Sequence, residues 1–225
     1  MPTTIHHVRT MTRPRSALPW LLAVACAAGF ALLATVVSRQ GSVGFDEPVI
    51  AFVTGLGISP ETWRAVTDLG GRFVLVPVGV GLVLWLLWKR RPADAVVVAI
   101  GLLGATLFSD AVKDLVARPR PPGPPLAPAA GYSFPSGHAL NSTATYGLVA
   151  LYAFRSRVAL TARWVAVAVL VAIPFLGGLS RIALGVHYPS DVLGGWLAGL
   201  AVVAMVAAIT WSATTAIPET ARSGP

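Results

Sequence analysis

Six stretches of this sequence are mostly apolar and long enough to cross a bilayer, and they constrain the chain more than any single motif does. They are Ala17 to Val37, Phe73 to Trp88, which is short but extends through Gly70 and Gly71, Ala93 to Leu107, whose last turns carry on through Asp110 and Lys113, Ser136 to Phe154, Trp164 to Leu179 and Val192 to Trp211. At about 1.5 Å of rise per residue, roughly 20 apolar residues in a helix cross a hydrocarbon core of about 30 Å. Backbone polar groups at that depth have no water to bond, so helix is the form such segments take. With only 12% of residues charged, a soluble domain with an ordinary charged surface is excluded. The expectation is an all-α, six-transmembrane helical bundle over 17–211, with cytoplasmic tails at 1–16 and 212–225.

The segments between the runs set the orientation. Arg9 to Arg15, Lys89 to Arg91, Arg155 to Arg163 and Arg222 fall on one side and hold most of the chain's 17 basic residues. That excess marks the cytoplasmic face. The net charge of +8 therefore reflects topology. No basic stripe runs along one face, so nucleic acid is not a partner. His6 and His7 belong to a solvated tail. Arg39 to Gly71 is too polar to span, interrupted by Asp46, Glu47, Pro48, Glu61, Arg64 and Asp68, and reads as a short interfacial helix plus loop. The single Cys26 could end a lipoprotein signal, but the apolar run continues past it to Val37, which favours a retained span.

Four polar islands break this apolar pattern: Lys113 to Pro121, Pro135 to His138, Ser180 with Arg181, and His187 to Asp191. Counting spans puts all four on the face opposite the basic loops, at the ends of the third and fifth spans and the starts of the fourth and sixth. Ionisable residues at the edge of a bilayer are expensive and usually functional. Six of them gathered at one face predict a single site.

Their chemistry suits a phosphate. Ser136 is placed to cap a helix, and Gly137 lets the backbone approach a ligand. The free amides and dipole at that helix start attract an anion. Lys113, Arg120 and Arg181 supply cations, and the planar guanidinium fork matches phosphate oxygens. His138, Asn141 or Ser142, and Thr145 recur at helical spacing and would line the bundle interior. Pro189 fits the first turn of the last span, so Asp191 can hold one ring nitrogen of His187 and leave the other poised as nucleophile or base. His138, on a different helix, is then the second acid or base. Such a set can transfer a phosphoryl group with no metal and no cofactor.

Lys113 followed after six residues by Arg120-Pro121, then Pro135-Ser136-Gly137-His138, then Ser180-Arg181 with His187 and Asp191 downstream, resembles the three signature motifs of the type 2 phosphatidic acid phosphatase family. That superfamily also holds bacterial undecaprenyl-pyrophosphate and phosphatidylglycerophosphate phosphatases and vanadium-dependent haloperoxidases. The haloperoxidases are soluble, so a membrane chain fits the lipid branch. The resemblance implies that His187 is the nucleophile forming a phosphohistidine, Asp191 its orienting partner and His138 the general acid. It further implies that Lys113, Arg120, Ser136, Gly137 and Arg181 hold the phosphate, and that the substrate is a lipid phosphate or pyrophosphate met on the external face. Arg118 is not a motif position, and Asp110 could pair with Lys113 or serve the helix end. The Pro-rich loop from Arg118 to Pro128 could rim the entrance. A phosphotransferase with the same chemistry, or a head-group binding or transport protein, would share the cations; binding alone does not need two histidines and a carboxylate. The spacing of Gly195 and Gly199 permits packing within the bundle or between chains, which leaves the oligomeric state open.

Overall fold

A computed structural model describes residues 17–156 and 158–214; the expected tail at 1–16, Arg157 and residues 215–225 lie outside it. The described residues form eight helices: α1 (Leu18–Gln40), α2 (Asp46–Thr54), α3 (Pro60–Asp68), α4 (Arg72–Trp88), α5 (Pro92–Val116), α6 (Gly137–Phe154), α7 (Leu160–Ala183) and α8 (Pro189–Thr214). The six expected spans correspond to α1, α4, α5, α6, α7 and α8. α1, α5, α7, α8 and the stretch Pro60–Trp88 are each apolar and long enough to cross a membrane. α6 is the exception in composition, because His138, Asn141, Ser142, Thr143 and Thr145 interrupt it. Its 18 residues still rise about 27 Å, and it is packed against α4, α5, α7 and α8. Its polar side chains therefore face protein, while Phe73, Leu32 and Leu115 turn outward.

Helices in a bilayer gain little from hiding apolar surface from lipid, so close backbone approach matters more. Gly195 and Gly199 supply it on α8. A Cβ at Gly195 would meet the Ser136 carbonyl oxygen at 2.6 Å, and one at Gly199 would meet the Leu140 oxygen at 2.8 Å. The pair thus packs within the bundle, against the first turns of α6. On the other flank of α8 lies α1. α1 barely touches α5, and the gap is an apolar cavity of about 820 Å³ between α1, α5 and α8, running from Val97 to Val116.

One expectation needs correction at its boundary: α7 runs past Leu179 to Ala183, while α5 ends at Val116 with Asp110 and Lys113 in its last turns, as expected. Lys113 and Arg181 consequently project from helices, which fix their direction as a loop would not. The segment 39–71 also holds two helices where one was expected. Ser59 caps α3 by accepting the Thr62 amide at 3.3 Å, with Pro60 as the first helical residue. At the end of the bundle away from the polar islands, Arg91 pairs with Asp94. There Arg155 also donates to the Thr210 hydroxyl at 2.9 Å.

Candidate active site

The four polar islands converge. Ser136 takes the N-cap of α6 and its hydroxyl faces the Ala139 amide at 3.5 Å. Its own amide donates to the Asp191 carbonyl at 3.0 Å, which ties the start of α6 to the start of α8. The first amides of α6 have no acceptor within the helix and are available to an anion. A Cβ at Gly137 would lie 3.3 Å from Lys113 Nζ, so glycine is what lets the lysine reach the helix start. Lys113 lies 4.0 Å from Asp110, which is well exposed, a loose pairing at best.

His187 is buried in the turn between α7 and α8, and its Nδ1 stands 3.4 Å from Asp191 Oδ2. That is ion-pair range but longer than a well-formed hydrogen bond; such contacts commonly tighten when substrate binds. The other nitrogen, Nε2, is 3.3 Å from Arg120 Nη1. A guanidinium only donates, so Nε2 carries the lone pair and Nδ1 the proton. Burial holds the imidazole at about pKa 4, against the opposing pull of Asp191 and with help from Arg181 and Arg120. The ring is neutral at ordinary pH, with its reactive pair turned toward the cations.

Arg120 is held by backbone carbonyls, donating to Val186 of the α7–α8 turn at 2.7 Å and, in the stretch that follows the Pro-rich loop, to Ala130 at 2.6 Å and Gly131 at 3.0 Å. These carbonyls therefore shape the cation. Arg181 donates to the Thr67 hydroxyl at 3.1 Å and to the Pro128 carbonyl at 3.4 Å, while its buried Nε has no partner. His138 lies in the field of Arg181, His187, Lys113 and Arg120, and its Cδ2 is 3.6 Å from where a Cβ on Gly70 would stand. Ser142 and Thr145 are buried in the bundle interior as their spacing predicts, and Asn141 accepts from Thr106 at 3.2 Å. The eight expected site residues come from α5, α6, α7, α8, the α7–α8 turn and the 117–136 loop, segments whose ends meet at one end of the bundle.

Sequence reasoning missed the layer behind them. Arg118 is buried, not merely nearby, and donates to Asp191 Oδ1 at 2.5 Å. Asp46 of α2 accepts from Arg118 at 2.9 Å and from the Ser190 amide at 2.8 Å. Thr67 of α3 holds Arg181. The segment 39–71 is part of the site's wall. The only sequence signal was an acidic residue at the start of an apolar helix, which reads equally well as an ordinary helix-start carboxylate.

Three comparisons bear on this geometry. The PAP2 superfamily model matches residues 94–215. The chain is 30% identical over 141 residues to the phosphatidylglycerophosphatase B of Bacillus subtilis, covering 62% of this chain and 70% of that one. It is 31% identical over 171 residues to the undecaprenyl-diphosphatase of Sulfolobus acidocaldarius, covering 72% and 77%. The fold superposes on the crystal structure of a transmembrane PAP2 type phosphatidylglycerolphosphate phosphatase from Bacillus subtilis with a TM-score of 0.74. That alignment has 26% identity and covers 84% of this chain and 95% of the other.

Proposed function

Since this chain belongs to the PAP2 superfamily, we propose that it is an integral-membrane hydrolase of lipid phosphates that works through a phosphohistidine on His187, with no metal in the reaction. The observation that carries this reading is the buried, neutral His187, with Nδ1 toward Asp191 and Nε2 toward Arg120. The relatives named as phosphatases of phosphatidylglycerophosphate and of undecaprenyl diphosphate support a lipid substrate. So does the apolar groove between α1, α5 and α8, whose lining includes Val112 and Val116 on either side of Lys113. A charged head and a hydrocarbon chain would then be handled by adjacent surfaces. The basic residues Lys89 to Arg91 and Arg155, at the far end of the bundle, support an external site.

In this mechanism the Nε2 lone pair of His187 attacks phosphorus as the bond to the leaving oxygen breaks. His138 gives its proton to that oxygen, which departs as an alcohol or as a phosphate monoester. Charge on the phosphoryl oxygens is met by Lys113, Arg120, Arg181, the Ser136 hydroxyl and the Gly137 amide. Asp191 stabilises the positive charge that His187 acquires. His138, now a base, takes a proton from water, which attacks the phosphohistidine and releases inorganic phosphate.

The purified protein should release phosphate from phosphatidic acid, phosphatidylglycerophosphate or undecaprenyl pyrophosphate with a chelator present. His187→Ala should lower kcat by at least about a thousandfold. Unchanged turnover in that variant, or activity abolished by the chelator, refutes the mechanism.

A further inference from the structure

Asp191 is held from two sides. Its Oδ2 accepts the Tyr188 amide at 2.8 Å and faces His187, while its Oδ1 accepts Arg118 Nη1 at 2.5 Å. Arg118 has no role in the phosphate pocket. Four of its five N–H groups are committed: to the Gly41 carbonyl at 2.8 Å, the Ser190 hydroxyl at 2.8 Å, Asp191, and Asp46 at 2.9 Å. Its guanidinium also lies 3.9 Å from the centroid of the Tyr188 ring. Asp46 is equally committed, since its Oδ1 takes the Ser190 amide at 2.8 Å. Its Oδ2 takes the Ser190 hydroxyl at 2.8 Å and the Val43 amide at 3.1 Å. Asp46, Arg118 and Asp191 are all essentially inaccessible to solvent.

Two buried carboxylates this close to one another call for a cation between them. Arg118 is that cation. By occupying Oδ1, it also leaves Oδ2 as the only oxygen of Asp191 turned to the histidine. We propose that Arg118, anchored by Asp46 of α2, is a positioning residue that holds Asp191 with its Oδ2 aimed at His187 Nδ1. Neither residue reaches the phosphate, so the pair acts on turnover through Asp191 alone. This inference rests on the reading of His187 as the nucleophile.

The test is a pair of substitutions measured in two backgrounds, with phosphate release followed from a radiolabelled lipid phosphate. Arg118→Gln should lower kcat about 10- to 100-fold, the loss usual for a partner behind the first contact layer, with KM within about 3-fold of wild type. In an Asp191→Asn background the same substitution should cost nothing further, because the group it positions is already lost. An undiminished kcat, a loss confined to KM, or an equal loss in both backgrounds overturns the proposal. If Arg118→Gln does not yield folded protein by its thermal transition, Asp46→Asn, nearly identical in shape, takes its place. It should lower kcat about 3- to 10-fold with KM unchanged, and a wild-type kcat there also overturns the proposal. Failure of the underlying reading looks different: wild type releases no phosphate, or His187→Ala still turns over.

Discussion

Gly195→Ala asks whether the spacing of α6 and α8 sets the chemistry. The new methyl would sit 2.6 Å from the Ser136 oxygen, 2.7 Å from Ala139 Cβ and 3.0 Å from the Leu140 nitrogen. Ordinary contact begins near 3.4 Å, so the first turn of α6 must withdraw by about 0.8 Å, since packed interiors hold no slack to absorb it. Overpacking of this kind costs about 1–3 kcal/mol, and exchanging glycine for alanine within a helix returns about 1 kcal/mol. The net loss of stability is therefore about 0–2 kcal/mol, a fall of several degrees at most in the thermal midpoint. Turnover should suffer far more. His138 rides on the turn that moves, while His187 and Asp191 stay with α8, and a misplacement near 1 Å can cost about 100-fold. We expect kcat to fall about 10- to 100-fold. Gly199→Ala separates the two effects, because its methyl would meet Thr143 Cβ at 2.6 Å one turn deeper; it should cost similar stability and less activity. Gly81→Ala, with nothing within 4 Å, should leave both intact. Wild-type kcat in Gly195→Ala, or equal losses of kcat at Gly195 and Gly199, would refute the reasoning.

Two further outcomes follow from the site. His187 titrates at about 4 in the fold against 6.5 for an ordinary histidine, so between those values the unfolded chain binds more protons and stability rises with pH. The contribution is complete above about pH 6.5 and is lost as pH falls toward 4; thermal midpoints across this window should have a shallower slope in His187→Gln, and equal slopes would contradict the assignment. Thr67→Val removes the hydroxyl that accepts from Arg181. It should cost about 1–2 kcal/mol of stability and raise KM several-fold, measured by thermal unfolding and steady-state phosphate release.

Much of this was legible because membrane insertion reduces a fold to order and parity. Once six apolar runs were counted, the islands at Lys113, Ser136, Arg181 and His187 had to share a face, and the structure brings them within contact of one another. Helix-start chemistry was equally local: Ser136 and Pro189 stand where capping and first-turn preferences put them. Asp46 was not legible, because its burial is a property of the assembled bundle. In sequence it opens an apolar helix beside Glu47, an arrangement that reads as solvated. Arg118 sits two residues from a motif arginine, and spacing alone could not say that one cation faces the phosphate and the other faces away. The small-residue pair on α8 announced close packing without naming its partner, since a glycine records that something approaches but not which helix does.

The ion network behind Asp191 also has a consequence for how the molecule comes into being. Asp46 must wait 72 residues for Arg118 and 144 for Ser190. A buried charge without its partner costs several kcal/mol. During synthesis, then, α2 has no cation for Asp46 until Arg118 is made and no complete set of partners until the last helix. Asp46 and Arg118 can pair before α8 is made, but the network closes only when that helix brings Ser190 and Asp191. Completion of the final span is what gives both carboxylates their full set of partners.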